Sequence, residues 1–139
     1  MQHPRDVLQG PQAAATAIPV CDHYSGAPER MQKSLQLQAA MTAEFGVCVF
    51  DVTLDCEDGA AVGAEAEHAA LVAQLVRGAA PEARVAARVH PVNHPAFSGD
   101  VATIAGEAGH RLCHVMLPKC ESVDDVLAAE RALERAGAR

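Results

Sequence analysis

An α/β fold of four strand–helix units with parallel strands is what this sequence predicts, and three observations predict it. Short apolar, β-branched runs alternate with segments of helical period along the chain. The strand starts recur about every 30 residues, a spacing shared by doubly wound sheets and by βα barrels, which need roughly 250 residues for eight units. Each expected strand also stops at ionisable residues, the pattern of a parallel sheet whose carboxyl edge carries the chemistry.

Taken in order, residues 1–14 read as an N-terminal tail and ATAIPVC (15–21) as the first strand. Ser25, Gly26 and Pro28 then end the strand and start a helix, in which Met31, Leu35, Gln38 and Met41 track one face. VCVFDVTLDCE (47–57) is the second strand, and EAEHAALVAQLVRG (65–78) a helix with Leu71, Leu75 and Val76 along one side. ARVAARVHP (83–91) is the third strand, closed by prolines. The weaker helix SGDVATIAGEAGH (98–110) leads to a fourth strand, RLCHVMLPK (111–119). Ser122 with Asp125 three positions on predicts a capping box, and Val123, Val126 and Leu127 open an amphipathic last helix.

Composition narrows the function classes. Half of the 139 residues are hydrophobic, enough for one domain with a core, and no apolar run approaches the roughly 20 residues of a membrane span. The start of the chain lacks the basic and apolar regions of a signal peptide, so the expected compartment is cytoplasmic. A formal charge of -7 and few aromatics argue against a nucleic-acid surface. The five cysteines show neither CxxC nor paired zinc spacing, which argues against a disulfide framework or structural zinc and for reduced thiols, mostly in the core. Neither a Walker nor a Rossmann phosphate loop is present.

The acidic stretch FDVTLDCEDGA (50–60) carries the main functional signal. Phe50, Val52, Leu54 and Cys56 alternate with Asp51, Thr53, Asp55 and Glu57, so one face packs under helices and the other is polar. Asp51, at the strand start, takes a structural role. Asp55, Glu57 and Asp58, at the strand end, are the candidate catalytic carboxylates. Three acids so close need a divalent cation or basic groups between them. Arg88 and Lys119, from the next two strands, are within reach; Arg88 could fork onto a substrate carboxylate, pair with Asp55, or do both. Lys119 would add a point charge to the substrate pocket or could instead anchor Glu57, and a Schiff-base role is opposed by the acids around it. His23, at the end of the first strand, is the candidate histidine for proton transfer or hydrogen bonding to substrate. The pairs His90/His94 and His110/His114 read as incidental, and a catalytic thiol is not expected.

At these residues the sequence resembles the HpcH/HpaI aldolase and citrate lyase β-subunit family. LDCEDGA (54–60), RVHP (88–91) and LPKCES (117–122) are similar, in order and spacing, to the family's motifs after its second, third and fourth strands. The resemblance implies a TIM-type (βα)8 barrel, of which residues 15–139 would form the N-terminal half. It implies a metal-dependent carbon–carbon lyase acting through an enolate on an acyl-CoA thioester or small oxoacid, with Mg²⁺ or Mn²⁺ as cofactor. Arg88 would then bind the oxoacid carboxylate or enolate oxygen. Glu57 and Asp58 would line the metal through water, the direct ligands being a Glu and an Asp expected beyond residue 139. Asp58 stands where the aldolase branch has a histidine, which favours the lyase branch. His90 stands where asparagine is usual, and CDHYSG replaces a proline–glycine turn.

Half a barrel would leave two open strand edges and an unclosed face. The expectations are that further strands follow, since RALERAGAR carries no stop signal; that two copies pair as a homo-oligomer; or that the chain persists as an open sheet. The alternative function is accordingly a non-catalytic half-barrel binding or scaffolding module that needs a partner subunit, with no role for nucleic acid or membrane.

Overall fold

The structure, a computed structural model, describes residues 21–137. The expected tail and nearly all of the expected first strand, ATAIPVC, lie outside the described residues. Within them, strands β1 (Cys21–Ser25), β2 (Phe50–Asp55), β3 (Val85–Arg88) and β4 (Val115–Met116) form one parallel sheet in the order β1-β2-β3-β4. Helices α1 (Pro28–Phe45), α2 (Glu65–Gly78) and α4 (Val123–Arg135) follow β1, β2 and β4. The connection after β3 is a broken helical run over 97–111, here α3: an α-helical turn, a π-helical turn at Val101–Ala105, and shorter α and 3-10 pieces. Gly99, Gly106 and Gly109 account for its weak helical signal in sequence.

The helices cover a single face. Phe50, Val52 and Leu54 from β2 and Cys56 just after it, with Val85 and Ala87 from β3 and Val89 just after it, share one buried core with Met31, Ala69, Val72, Val76, Ile104 and Ala129 from the helices. The opposite face carries Asp22, Tyr24, Asp51, Thr53, Asp55, Arg84 and Arg88, because paired residues in parallel strands project to the same side. A doubly wound sheet would need apolar residues on both faces, so the one-sided pattern belongs to a barrel wall. The wall is curved: the Tyr24 hydroxyl on β1 lies 2.8 Å from Met116 Sδ on β4, although four strands laid flat would put these edges about 14 Å apart. The architecture is that of a partial (βα) barrel.

Several local expectations change. The buried stripe of α2 is Ala69, Val72, Ala73 and Val76, with Leu71 and Leu75 only half-buried, because small residues let the helix sit close to α3 and β3. On α4 only Ala129 is buried; Val123, Val126 and Leu127 are exposed. The capping box forms as expected, Asp125 N–H donating to Ser122 Oγ and the Asp125 carboxylate accepting from Ser122 N–H. Gln38, expected only as one position of a helix face, is fully buried and donates through Nε2 to the carbonyls of Phe50 and Arg84, tying α1 to β2 and β3.

Candidate active site

The carboxyl edge of the sheet is built around Asp55. Its carboxylate accepts two N–H bonds from Arg88, Nε at 2.8 Å and Nη2 at 2.6 Å, and two from the backbone, Glu57 N–H at 2.9 Å and Gly59 N–H at 2.8 Å. Burial works to raise its pKa, yet these four donors outweigh burial and hold the carboxyl below the usual range. These four donors let the Asp55 carboxylate aim Arg88 and fix the LDCEDGA loop.

Arg88, anchored along one edge of its guanidinium, turns Nη1 toward Glu57 Oε2 at 3.2 Å and Asp58 Oδ2 at 3.9 Å. Its guanidinium carbon stands 5.4 Å from the centre of the Tyr24 ring, a cation–π contact that sequence reading missed. Tyr24 became legible only with the register, since β1 runs past the expected strand end. For the same reason His23 lies inside β1 rather than at its end. It projects to the helix side, stacked on Phe50 with ring centres 4.2 Å apart, and not to the carboxyl edge.

Lys119 bridges the other side of the acidic loop. Its ammonium pairs with Glu57 and lies 3.1 Å from Asp58 Oδ1. These hydrogen bonds, to Glu57 first and Asp58 second, raise its pKa and favour the ammonium form. The same contact with Lys119 lowers the pKa of Asp58. The backbone of Lys119 is left-handed, with φ 53°, an uncommon state for a side-chain-bearing residue, which turns LPKCES back over the loop. Glu57 is the enclosed acid, its side chain 6% exposed against 63% for Asp58, and its buried Oε2 has no hydrogen-bond partner despite the nearby Arg88 charge.

That oxygen, ion-paired with Arg88 but without a hydrogen bond, and exposed Asp58 are hard oxygen donors of the kind a water-bound divalent cation takes. The three carboxylates face two cationic side chains, leaving one unit of negative charge on the edge. Among the described residues a separate cluster, Asp51, Cys113 and His114, brings candidate ligand atoms within 4.8 Å of one another, toward the amino end of the sheet. Its sulfur and nitrogen donors do not suit Mg²⁺.

The other expected groups fall as follows. Asp51 is structural, gripped by Arg84 through Nε at 2.5 Å and Nη2 at 3.1 Å. His90 is tied into the fold: its ring Nδ1 and backbone N–H both meet the buried Asp100 carboxylate, at 2.7 and 2.9 Å, and its ring stacks on His94. All five cysteines are free, but only Cys56 is buried, with burial pushing its thiol pKa up; Cys21, Cys113 and Cys120 are exposed, against the expectation of mostly core thiols.

No family model matches the chain, and no curated relative matches it. Among solved structures it is similar to a citrate lyase from Burkholderia xenovorans LB400, at 39% identity and a TM-score of 0.74 over 87% of this chain. The chain spans about a third of that protein, 36% of its length. No helix among the described residues is long and apolar enough to cross a membrane. The chain forms a partial (βα) barrel and is similar, over most of its length, to part of that citrate lyase.

Proposed function

We propose that the carboxyl edge of this sheet is the oxoacid end of a carbon–carbon lyase acting through an enolate on an acyl-CoA thioester or a small oxoacid. The observation that carries this reading is Arg88: a guanidinium held rigid by Asp55, with Nη1 turned toward the loop of Glu57 and Asp58. Such a fork receives a carboxylate or a developing oxyanion without having to be ordered first. An acidic edge repels an anionic substrate, which supports a divalent cation as the complement, Mg²⁺ or Mn²⁺. When bound, the ion supplies a Lewis acid for the developing negative oxygen. Glu57 and Asp58 would hold its water shell, and Lys119 keeps both acids in place. Free thiols support a cytoplasmic setting. The exposed apolar residues of α4 support association with further protein, as a homo-oligomer or through more of the same barrel.

Steady-state cleavage assays on the complete native chain test the role of Arg88. Arg88→Lys keeps a cation against Asp55 but loses the fork, and it is expected to lower kcat/KM by about 100-fold, in keeping with the loss of one oriented charged donor. Unchanged kinetics in a folded Arg88→Lys protein would remove Arg88 from the chemistry. The second reading, a scaffolding module without catalysis, draws on the same exposed α4 residues and predicts partner binding that Arg88→Lys leaves intact.

A further inference from the structure

The amino-terminal half of the concave face carries a polar cluster that the lyase reading does not use. Asp51 is the second residue of β2, Arg84 precedes β3, Cys113 and His114 precede β4, and Asp22 lies across on β1. One ligand atom each from Asp51, Cys113 and His114 lies within 4.8 Å of the others. We propose that these three side chains bind a borderline-soft divalent transition metal of the Zn²⁺ class, tying β2 to β4 across the concave wall.

The donor chemistry fits. Thiolate, imidazole and carboxylate are the usual protein ligands of Zn²⁺, and three of them leave one position for water. The surrounding groups are already arranged as a supporting shell. His114 turns Nδ1 toward Cys113 Sγ at 3.4 Å and Nε2 toward Asp22 Oδ2 at 3.9 Å. A ligating histidine whose second nitrogen faces a carboxylate is the common outer-shell arrangement of zinc sites. Asp22 is itself held by the Thr53 hydroxyl at 2.6 Å, and its Oδ1 is buried with no hydrogen-bond partner. Arg84 fixes the plane of the Asp51 carboxylate, whose oxygens keep further lone pairs for a metal. The charges also close: Asp22, Asp51 and a Cys113 thiolate oppose only Arg84, leaving two negative units for a divalent ion. Sequence spacing gave no hint of the site, because adjacent Cys113 and His114 need a carboxylate supplied from another strand.

The test uses the complete chain, stripped of metal, with Co²⁺ as spectroscopic probe. The expected result is one equivalent bound per chain with a thiolate-to-cobalt charge-transfer band, displaced by Zn²⁺ but not by excess Mg²⁺. Cys113→Ser should abolish the band, Asp22→Asn should weaken binding by about 10-fold or more as outer-shell changes do, and Cys120→Ser should leave it unchanged. Absence of the band, or a band that survives Cys113→Ser, overturns the site. A readout on the unsubstituted protein guards against misfolding of the variants: Zn²⁺ should protect Cys113 from alkylation, located by peptide mass spectrometry, and equal labelling with and without Zn²⁺ would equally overturn it. Neither readout depends on lyase activity.

Discussion

Arg88 and Asp55 act as one unit, and their substitutions should not behave alike. Removing the guanidinium with Arg88→Ala leaves a buried carboxylate with only its backbone donors, an expected cost of about 3–5 kcal/mol in stability by denaturant unfolding. Arg88→Lys is therefore the cleaner probe of function. The pH dependence follows from the depressed pKa of Asp55. A group with a lowered folded pKa contributes stability that is complete above its unfolded value, about 3.9, and that is lost as pH falls through the folded value. Asp55→Asn should thus be less stable than the native protein at neutral pH, with a shallower fall in stability below about pH 4. An unaltered acid limb would contradict the pairing. Asp55, Glu57, Asp58, Arg88 and Lys119 were legible in sequence because each stands at a strand end among apolar neighbours. Tyr24 and Arg84 were not, because their roles arise from which residues face each other across strands. His23 was misplaced for the same reason: a shift in the end of β1 moves it to the other face.

Among the elements, the loops after β1 and β2 meet at Gly26 and Gly59. A Cβ on Gly26 would lie 2.0 Å from both the carbonyl carbon and the carbonyl oxygen of Gly59, so backbone would have to move. Gly59 N–H donates to Asp55, and displacing it disturbs the support of Arg88. Gly26→Ala is expected to cost about 1–3 kcal/mol, as overpacking does, and to weaken oxoacid binding although Gly26 touches no charged site residue. Wild-type stability and affinity in Gly26→Ala would refute the close approach. At α4, Ser122→Ala should cost about 1 kcal/mol of stability through loss of the capping bond. The cap was plain in sequence, since it is a local pattern. The buried stripe of α2 was not, because long-range packing chose the small residues Ala69 and Ala73 over the leucines that dominate any hydrophobicity pattern.

At the scale of the whole molecule, the one-sided cover and the curl of the sheet were half legible. Alternation in FDVTLDCEDGA already separated a helix-facing side from a polar one, but curvature follows from contacts between β1 and β4, residues more than 90 positions apart, such as Tyr24 with Met116. The concave wall thereby gathers an acidic, arginine-bearing edge at its carboxyl end and the Asp51, Cys113 and His114 cluster toward its amino end. On the proposed function, the first of these takes an oxoacid together with a divalent cation. Calorimetric titration of a small oxoacid into the complete native chain, with and without Mg²⁺, tests it most directly. The expected result is saturable binding that requires Mg²⁺ and that Arg88→Lys weakens by about 10-fold or more, the scale of losing one charge-assisted bond. Binding indifferent to both Mg²⁺ and Arg88→Lys, or no binding at all, would contradict it and leave the scaffolding reading in its place.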